Sequence, residues 1–351
     1  MLRRFGLFLL ALAVIAAVGA PVLAPHAADE SFRALLNAPP TRPHLRDDMG
    51  GWHAPFIYRW TLVNQLEQRY EQDRSARVPL AWFSGGRLVR STPVQSGDAE
   101  RAPLLLLGAD SYGRDVFSRL LFGARVSLGL AVVAALGALL LGASAGGLAG
   151  YAGGAADDAL MRTSDFVLVL PAMYVALALR SVLPLVLAPR DIFLILAGIF
   201  AIVGAPFFVR GVRAIVRSER GQDYAAAATS LGASDARVLV RHLLPAARGF
   251  MVVQITMLVP AFIIAEATLS YVGLGFPDPT ARWGTMLHDA SNVRVFADFP
   301  WLLSPAAAMF LVVLALNLVL ERSVVQSKEW TSKTSKSPSA PPAAGWLPPR
   351  P

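Results

Sequence analysis

The chain carries few residues that could do covalent chemistry. It has no cysteine, which excludes disulfides and thiolate metal sites. Its five histidines are scattered, with no HExxH pair to seat a metal. Its only lysines are Lys328, Lys333 and Lys336. None follows the Gly-rich loop that cradles phosphates, so ATP hydrolysis by this chain is excluded. What remains is a small set of charges beside apolar sequence. Glu266 lies within or near the end of a long apolar run, where an ionisable group is either a functional site or a structural hydrogen bond. Asp110, Arg114 and Asp115 precede another such run. Arg162 and Asp165, three apart, predict a pair on a helix surface. Arg180 and Arg190 read as side chains that snorkel to an interface, and Phe207-Phe208 as packing.

These residues must be positioned by membrane helices. Hydrophobic residues make up 55% of the chain and charged ones only 16%, against about a quarter charged in a soluble domain. The net charge of +8 then reads as an arginine bias at one membrane face, not as a nucleic-acid footprint. Crossing a bilayer takes roughly 20 mostly apolar residues. Six segments qualify: 5–24, 127–151, 166–187 with Pro171 as a kink, 192–209, 250–272 and 300–320. The first reads as an anchor, because its apolar run is longer than the roughly 7–15 residues of a cleaved signal; the small residues that follow it leave a removed secretory signal as the other reading. The second ends in GASAGGLAGYAGG, small residues that let helices approach closely.

Residues 25–105 lack a long apolar run and predict a small extracytoplasmic subdomain. Within it, 64–74 predicts a short solvated helix with Glu67 and Glu71 at i, i+4 spacing. Residues 79–93 predict two short strands around Ser84-Gly85-Gly86. The loop 210–250 holds seven arginines against Glu219, Asp223 and Asp235. That bias places it in the cytoplasm, and six crossings then put both termini there. The organisation expected is a first membrane helix (1–24), the insertion (25–105), the main membrane domain (106–322) with a cytoplasmic loop (217–248), and a disordered tail (323–351).

Within the loop, DYAAAATSLGASDARVLVRHLLP covers residues 223–245. Asp223 to Ser230 predicts a short helix with a small-residue face, ended by Gly232. Ser234 is placed to cap a second helix, with Asp235 in its first turn. That helix puts Val238, Leu239 and Leu243 on one side and Arg237 and Arg241 on another, and Pro245 bends the chain back toward the membrane. A small-faced helix held outside the bilayer suits a groove on another protein.

This stretch resembles the EAA loop of ABC-transporter permeases. Ala227, Ala228, Gly232, Leu244 and Pro245 fall at matching positions. Ala226 stands where the family usually has Glu, and His242 where it usually has an apolar residue. Asp223, one helical turn earlier, offers a substitute carboxylate. Three more runs resemble the dipeptide, oligopeptide and nickel permeases: GADSYGRDVFSRLLFGARVSL (108–128), LAGYAGGAADDALMR (148–162) and AEATLSYVGLGFPDPTARWGTML (265–287). The long insertion and the ending LERSVVQSKEWTSK depart from the common pattern.

The resemblance implies an all-α membrane protein with six transmembrane helices in the type I ABC importer (MetI-like) fold. It implies a C-type permease in the bacterial cytoplasmic membrane, moving peptides or related small solutes inward. Its implied partners are a homologous B-type permease, two ABC ATPase subunits, an extracytoplasmic solute-binding protein and the lipid bilayer. No cofactor and no metal are implied. ATPase coupling is expected of Asp223, Ala227, Ala228, Gly232, Ala233, Asp235, Leu244 and Pro245. Asp110, Arg114, Asp115 and Glu266 become gate or translocation-path candidates, with an internal ion pair fixing a re-entrant turn as the other reading of the first three. The rival class is a membrane sensor or scaffold that binds through residues 25–105. Such a protein would not need the helix–Gly–helix loop.

Overall fold

The computed structural model describes residues 2–47, 49–92, 102–170, 174–175, 177–178, 187–272, 279–291 and 297–334, the last fifteen by backbone alone. Helix α1 (Leu2–Leu23) precedes strands β1 (His44–Arg46), β2 (Trp52–Asn64), β3 (Arg69–Ser84) and β4 (Arg87–Ser91). Helices α2 (Val116–Ala152), α3 (Gly154–Val169), α4 (Pro189–Arg220) and α5 (Asp223–Ser230) follow. A continuous helical run, α6 (Asp235–Tyr271), leads to short α7 (Trp283–Asp289) and to α8 (Ser304–Thr334). Among the described residues, five helical segments are long and apolar enough to cross a membrane: α1, α2, α4, α6 and Pro300–Val319. Most of the expected span 166–187 lies outside the described residues, as do Pro171 and Arg180.

Helices α2 and α4 run parallel and meet backbone to backbone. A methyl group added at Gly142 would sit 2.5 Å from the Ala205 carbonyl, one at Gly146 2.5 Å from the Val209 carbonyl, and one at Gly150 2.7 Å from the Arg213 carbonyl. Each step is four residues on both helices, so one row of glycines lies against one row of carbonyls. Around this seam Leu130, Ala134 and Ala138 of α2 pack with Leu196 and Phe200 of α4 and Ile263 of α6. Phe200 stacks on Phe262 at 5.4 Å between ring centroids.

Helix α6 runs antiparallel to α2: Glu266 near its end bonds Ser127 near the start of α2, while Leu244 near its start faces Gly147. Helix α1 is antiparallel to α2, since Ala20 and Ala24 at its end pack on Leu121. It is also antiparallel to α8. Gly6 abuts Ala315 and Leu318, and Ala16 shares a cleft with Ala308. The bundle therefore has a sheet end, where α2 begins, and a loop end, where α2 finishes.

The insertion corrects the all-α expectation. Its four strands form an antiparallel sheet in the order β1-β2-β3-β4. Residues 64–74 are not a helix: Thr61 pairs with Glu71 and Leu62 with Tyr70 across β2 and β3. The Asn64 side chain accepts the Leu66 and Glu67 N–H groups and Gln68 adopts φ 51°, which closes a hairpin turn instead. The two strands expected around Ser84-Gly85-Gly86 are present, but β3 reaches back to Arg69. The sheet is tied to the bundle by a Ser31–Arg114 bridge and by the Asn37 N–H to the Asp110 carbonyl.

The glycine seam makes a direct prediction. Gly146→Leu must push α2 off the Val209 carbonyl, and overpacking of this kind costs about 1–3 kcal/mol. Gly129→Leu, where the added group meets nothing within 4 Å, is the matched control. Thermal unfolding of the two purified variants in detergent should show a lowered midpoint for Gly146→Leu alone.

Candidate functional site

At the loop end, α5 finishes as expected at Gly232. The Ala233 N–H bonds the Ala228 carbonyl (3.1 Å) and the Gly232 N–H bonds the Thr229 carbonyl (2.9 Å). Gly232 takes φ 82°, the left-handed geometry that this double closure needs. The following helix differs from expectation. Ser234 occupies the cap position, but its side chain makes no capping bond. At Pro245 the chain stays helical. The helix continues through a π-turn (Val238–Leu243) and a 3-10 turn (Leu244–Ala247) into the rest of α6. The Leu244 N–H reaches back five residues to the Leu239 carbonyl. The wider turn absorbs the proline, which has no N–H to offer.

Val238, Leu239 and Leu243 are buried together with Ala225 and Ala247 against Val212 and Val216 of α4. Ala228, Ala233 and Leu244 pack at the margin of this cluster, and Pro245 is half-buried. Asp235 accepts a hydrogen bond from the Tyr151 hydroxyl at the end of α2. Nearby, Arg213 grips Asp157 of α3 through both guanidinium edges, and this holds the carboxyl below its usual range. The element is thus seated on α2 and α4 by one face. The other face is open. Asp223, Ala226, Ala227 and Ser230, spaced 0, 3, 4 and 7, are all exposed, and beyond them Leu231 is 88% exposed. Arg237 and Arg241 are exposed as well.

The charges at the sheet end have the opposite character. Arg114 donates from Nε to Asp110 at 2.7 Å and from Nη2 to Asp289 of α7 at 3.2 Å. Arg119 lies 3.6 Å from Asp110. Asp115 caps α2, accepting from the Phe117 and Ser118 N–H groups (both 3.2 Å) and from the Ser118 hydroxyl (2.5 Å). Glu266 is buried and accepts from Ser127 Oγ (2.8 Å) and Ser270 Oγ (2.7 Å). Arg282, also buried, donates to Ser270 Oγ at 2.6 Å and lies 3.7 Å from Glu266. Asp110 and Arg114 thus pair with each other, Asp115 serves as the α2 cap, and Glu266 is held by two hydroxyls and Arg282; an internal structural role is the reading this geometry supports.

The two clusters meet at α7. Arg282 at its start holds α6, and Asp289 at its end holds α2. Trp283 Nε1 also donates to the Leu120 carbonyl of α2 (3.0 Å). Arg282 and Asp289 were not singled out by sequence reasoning, and Ser127 only as a position of the 108–128 run. Their partners lie at separations from 12 residues for Arg282 to 175 for Asp289, beyond any local pattern. The Arg162–Asp165 pair is not formed: Asp165 bonds Arg210 at 2.5 Å, because α3 lies against α4.

Residues 138–328 match the family model described as binding-protein-dependent transport system inner membrane component. The chain belongs to that family. It is 37% identical over 213 residues to the oligopeptide transport system permease protein OppC of Bacillus subtilis, covering 60% of this chain and 67% of that one. To the dipeptide transport system permease protein DppC of Haemophilus influenzae it is 32% identical over 251 residues, 71% and 77% of the two chains. To the glutathione transport system permease protein GsiD of Escherichia coli it is 40% identical over 212 residues, 60% and 68% of the two. The chain is the multi-pass membrane permease of a binding-protein-dependent ABC importer, a transport component and not the catalytic one. The sensor or scaffold reading falls away.

The Glu266–Arg282 contact should show as stability. Arg282→Met leaves a buried carboxylate with only hydroxyl partners, and breaking a buried pair from one side costs about 3–5 kcal/mol. Adding Glu266→Gln removes the stranded charge. In a thermal double-mutant cycle the double variant should unfold at a higher temperature than Arg282→Met alone.

Proposed function

We propose that this chain is the C-type permease of an importer for peptides or peptide-like solutes such as glutathione, paired with a homologous B-type permease. Two ABC ATPases bind at the loop end, and a solute-binding protein delivers substrate at the sheet end. The arginine-rich loop makes the loop end cytoplasmic. Six crossings are our reading: α1, α2, α4, α6 and Pro300–Val319 are five long apolar helices, and the parallel course of α2 and α4 supports one more between them. With the loop end cytoplasmic, the start of α1 and the direction of α8 support cytoplasmic termini and an extracytoplasmic sheet.

One observation carries the coupling role: the 223–247 element is fixed to the bundle by one face and bare on the other. The bare face offers small residues for close approach, Leu231 for an apolar pocket, and Asp223 for a cationic partner. Asp223 stands on the same face as Ala226 and Ala227, so it supplies the charge that Ala226 lacks. When the ATPases close, a force on this face reaches α2 and α4 together, because the glycine seam joins them. Helix α2 is 37 residues long, about 55 Å at 1.5 Å per residue, and carries the displacement to the sheet end. Substrate on its binding protein shifts the inward–outward equilibrium only by its differential affinity for the two states.

The test is co-purification of the ATPases with the assembled permease pair. Gly232→Pro removes the N–H and the positive φ that close α5 and should abolish retention. Leu231→Asp and Asp223→Arg leave the fold intact and should each weaken ATPase binding roughly tenfold, about 1.4 kcal/mol. Retention of the ATPases at wild-type affinity by all three variants would sink the proposal.

A further inference from the structure

The insertion contains a bare aromatic tip. Strands β3 and β4 are joined at Gly85-Gly86, with Ser84 opposite Arg87. Just before the turn, Trp82 is 54% exposed and Phe83 78% exposed. Phe83 also adopts φ 53°. A bulky side chain in that conformation costs free energy, and among the described residues little packing repays it: Phe83 is largely bare and Trp82 about half bare.

The position of this tip is fixed by α1. Helix α1 has 22 residues, about 33 Å long at 1.5 Å per residue, against a hydrocarbon core of about 30 Å. It therefore just spans the bilayer, and its last residues lie at the interface. Arg87 Nη1 donates to the carbonyl of Ala24 at 3.0 Å, immediately past the helix end. A cation there satisfies an orphan carbonyl and complements the helix dipole. The hairpin tip is thus pinned to the bilayer boundary. Ile15, Val18 and Val22 are exposed apolar residues on α1, the helix whose end the hairpin contacts. Arg90, exposed on β4, adds a positive charge at headgroup level.

We propose that the β3–β4 tip is a membrane-interface anchor, with Trp82 and Phe83 inserted among phospholipid headgroups and upper acyl chains beside α1. The amphipathic Trp82 indole favours this layer, and the apolar Phe83 ring favours the acyl chains just below it. The anchor would fix the sheet flat against the membrane, and so set the platform over the sheet end of the bundle. It rests on α1 crossing the bilayer and not on which side the sheet occupies.

The absence of cysteine makes the test direct. Phe83→Cys gives this chain a single thiol for a nitroxide spin label, in the full importer complex with any partner cysteines replaced, reconstituted in phospholipid nanodiscs. Ala76→Cys, exposed in β3 between charged Arg74 and Arg77, is the aqueous reference. Collisions with oxygen, which partitions into lipid, should exceed collisions with a water-soluble nickel chelate at 83, and the order should reverse at 76. Trp82→Cys repeats the measurement if Phe83→Cys does not assemble. A water-like ratio at the tip would overturn the proposal. So would shielding from both reagents, which would mean that a partner protein covers the tip instead.

Discussion

Lipid gives apolar helices no hydrophobic reason to associate, so the bundle depends on contacts that lipid cannot match. The row Gly142, Gly146 and Gly150 against the carbonyls of Ala205, Val209 and Arg213 is such a contact. It brings two backbones together over three helical turns, where dispersion is dense. The seam finishes at the loop end, where Tyr151 and Val212, Val216 form the seat for the 223–247 element. Without close approach of α2 and α4 there would be no such seat, and the element would be a loose amphipathic loop.

Charge is distributed in two different ways along this frame. At the sheet end Asp110, Arg114, Glu266 and Arg282 are buried and matched. Ions taken out of water are stable only when their partners and hydrogen bonds are complete. Their pairing suits them to holding α7 between α2 and α6. At the loop end Asp223, Arg237 and Arg241 are exposed. Burial separates residues that hold this chain together from residues that its surface leaves open.

The parts legible in the sequence were those set by local period. The apolar spans, the small-residue run of α2, the stop at Gly232, and the division of 237–243 into a buried and an exposed side all follow from spacings of three and four. The insertion was less legible. Glu67 and Glu71 have helical spacing, yet Asn64 and Gln68 close a turn there and the neighbouring aromatics pair across strands. Charge partners were the least legible: Arg114 with Asp289, Glu266 with Arg282, and Asp165 with Arg210 are joined by packing of separate helices. Membership of the permease family was carried by motif order, which local physics alone does not give.

Helix α2 is bound at both ends to the same neighbour. At the sheet end Ser127 bonds Glu266 of α6; at the loop end Gly147 receives Leu239 and Leu244 of α6. The glycine seam fixes α4 to α2 near the loop end. To slide α6 past α2 would strand the buried carboxylate of Glu266, and to part α4 from α2 would open the close backbone contact at Gly142, Gly146 and Gly150. A block braced in this way yields more readily at its outer surfaces than within. In the two-permease importer proposed above, movement would therefore fall most easily between this chain and its partner, with the 223–247 element as the handle on the whole block.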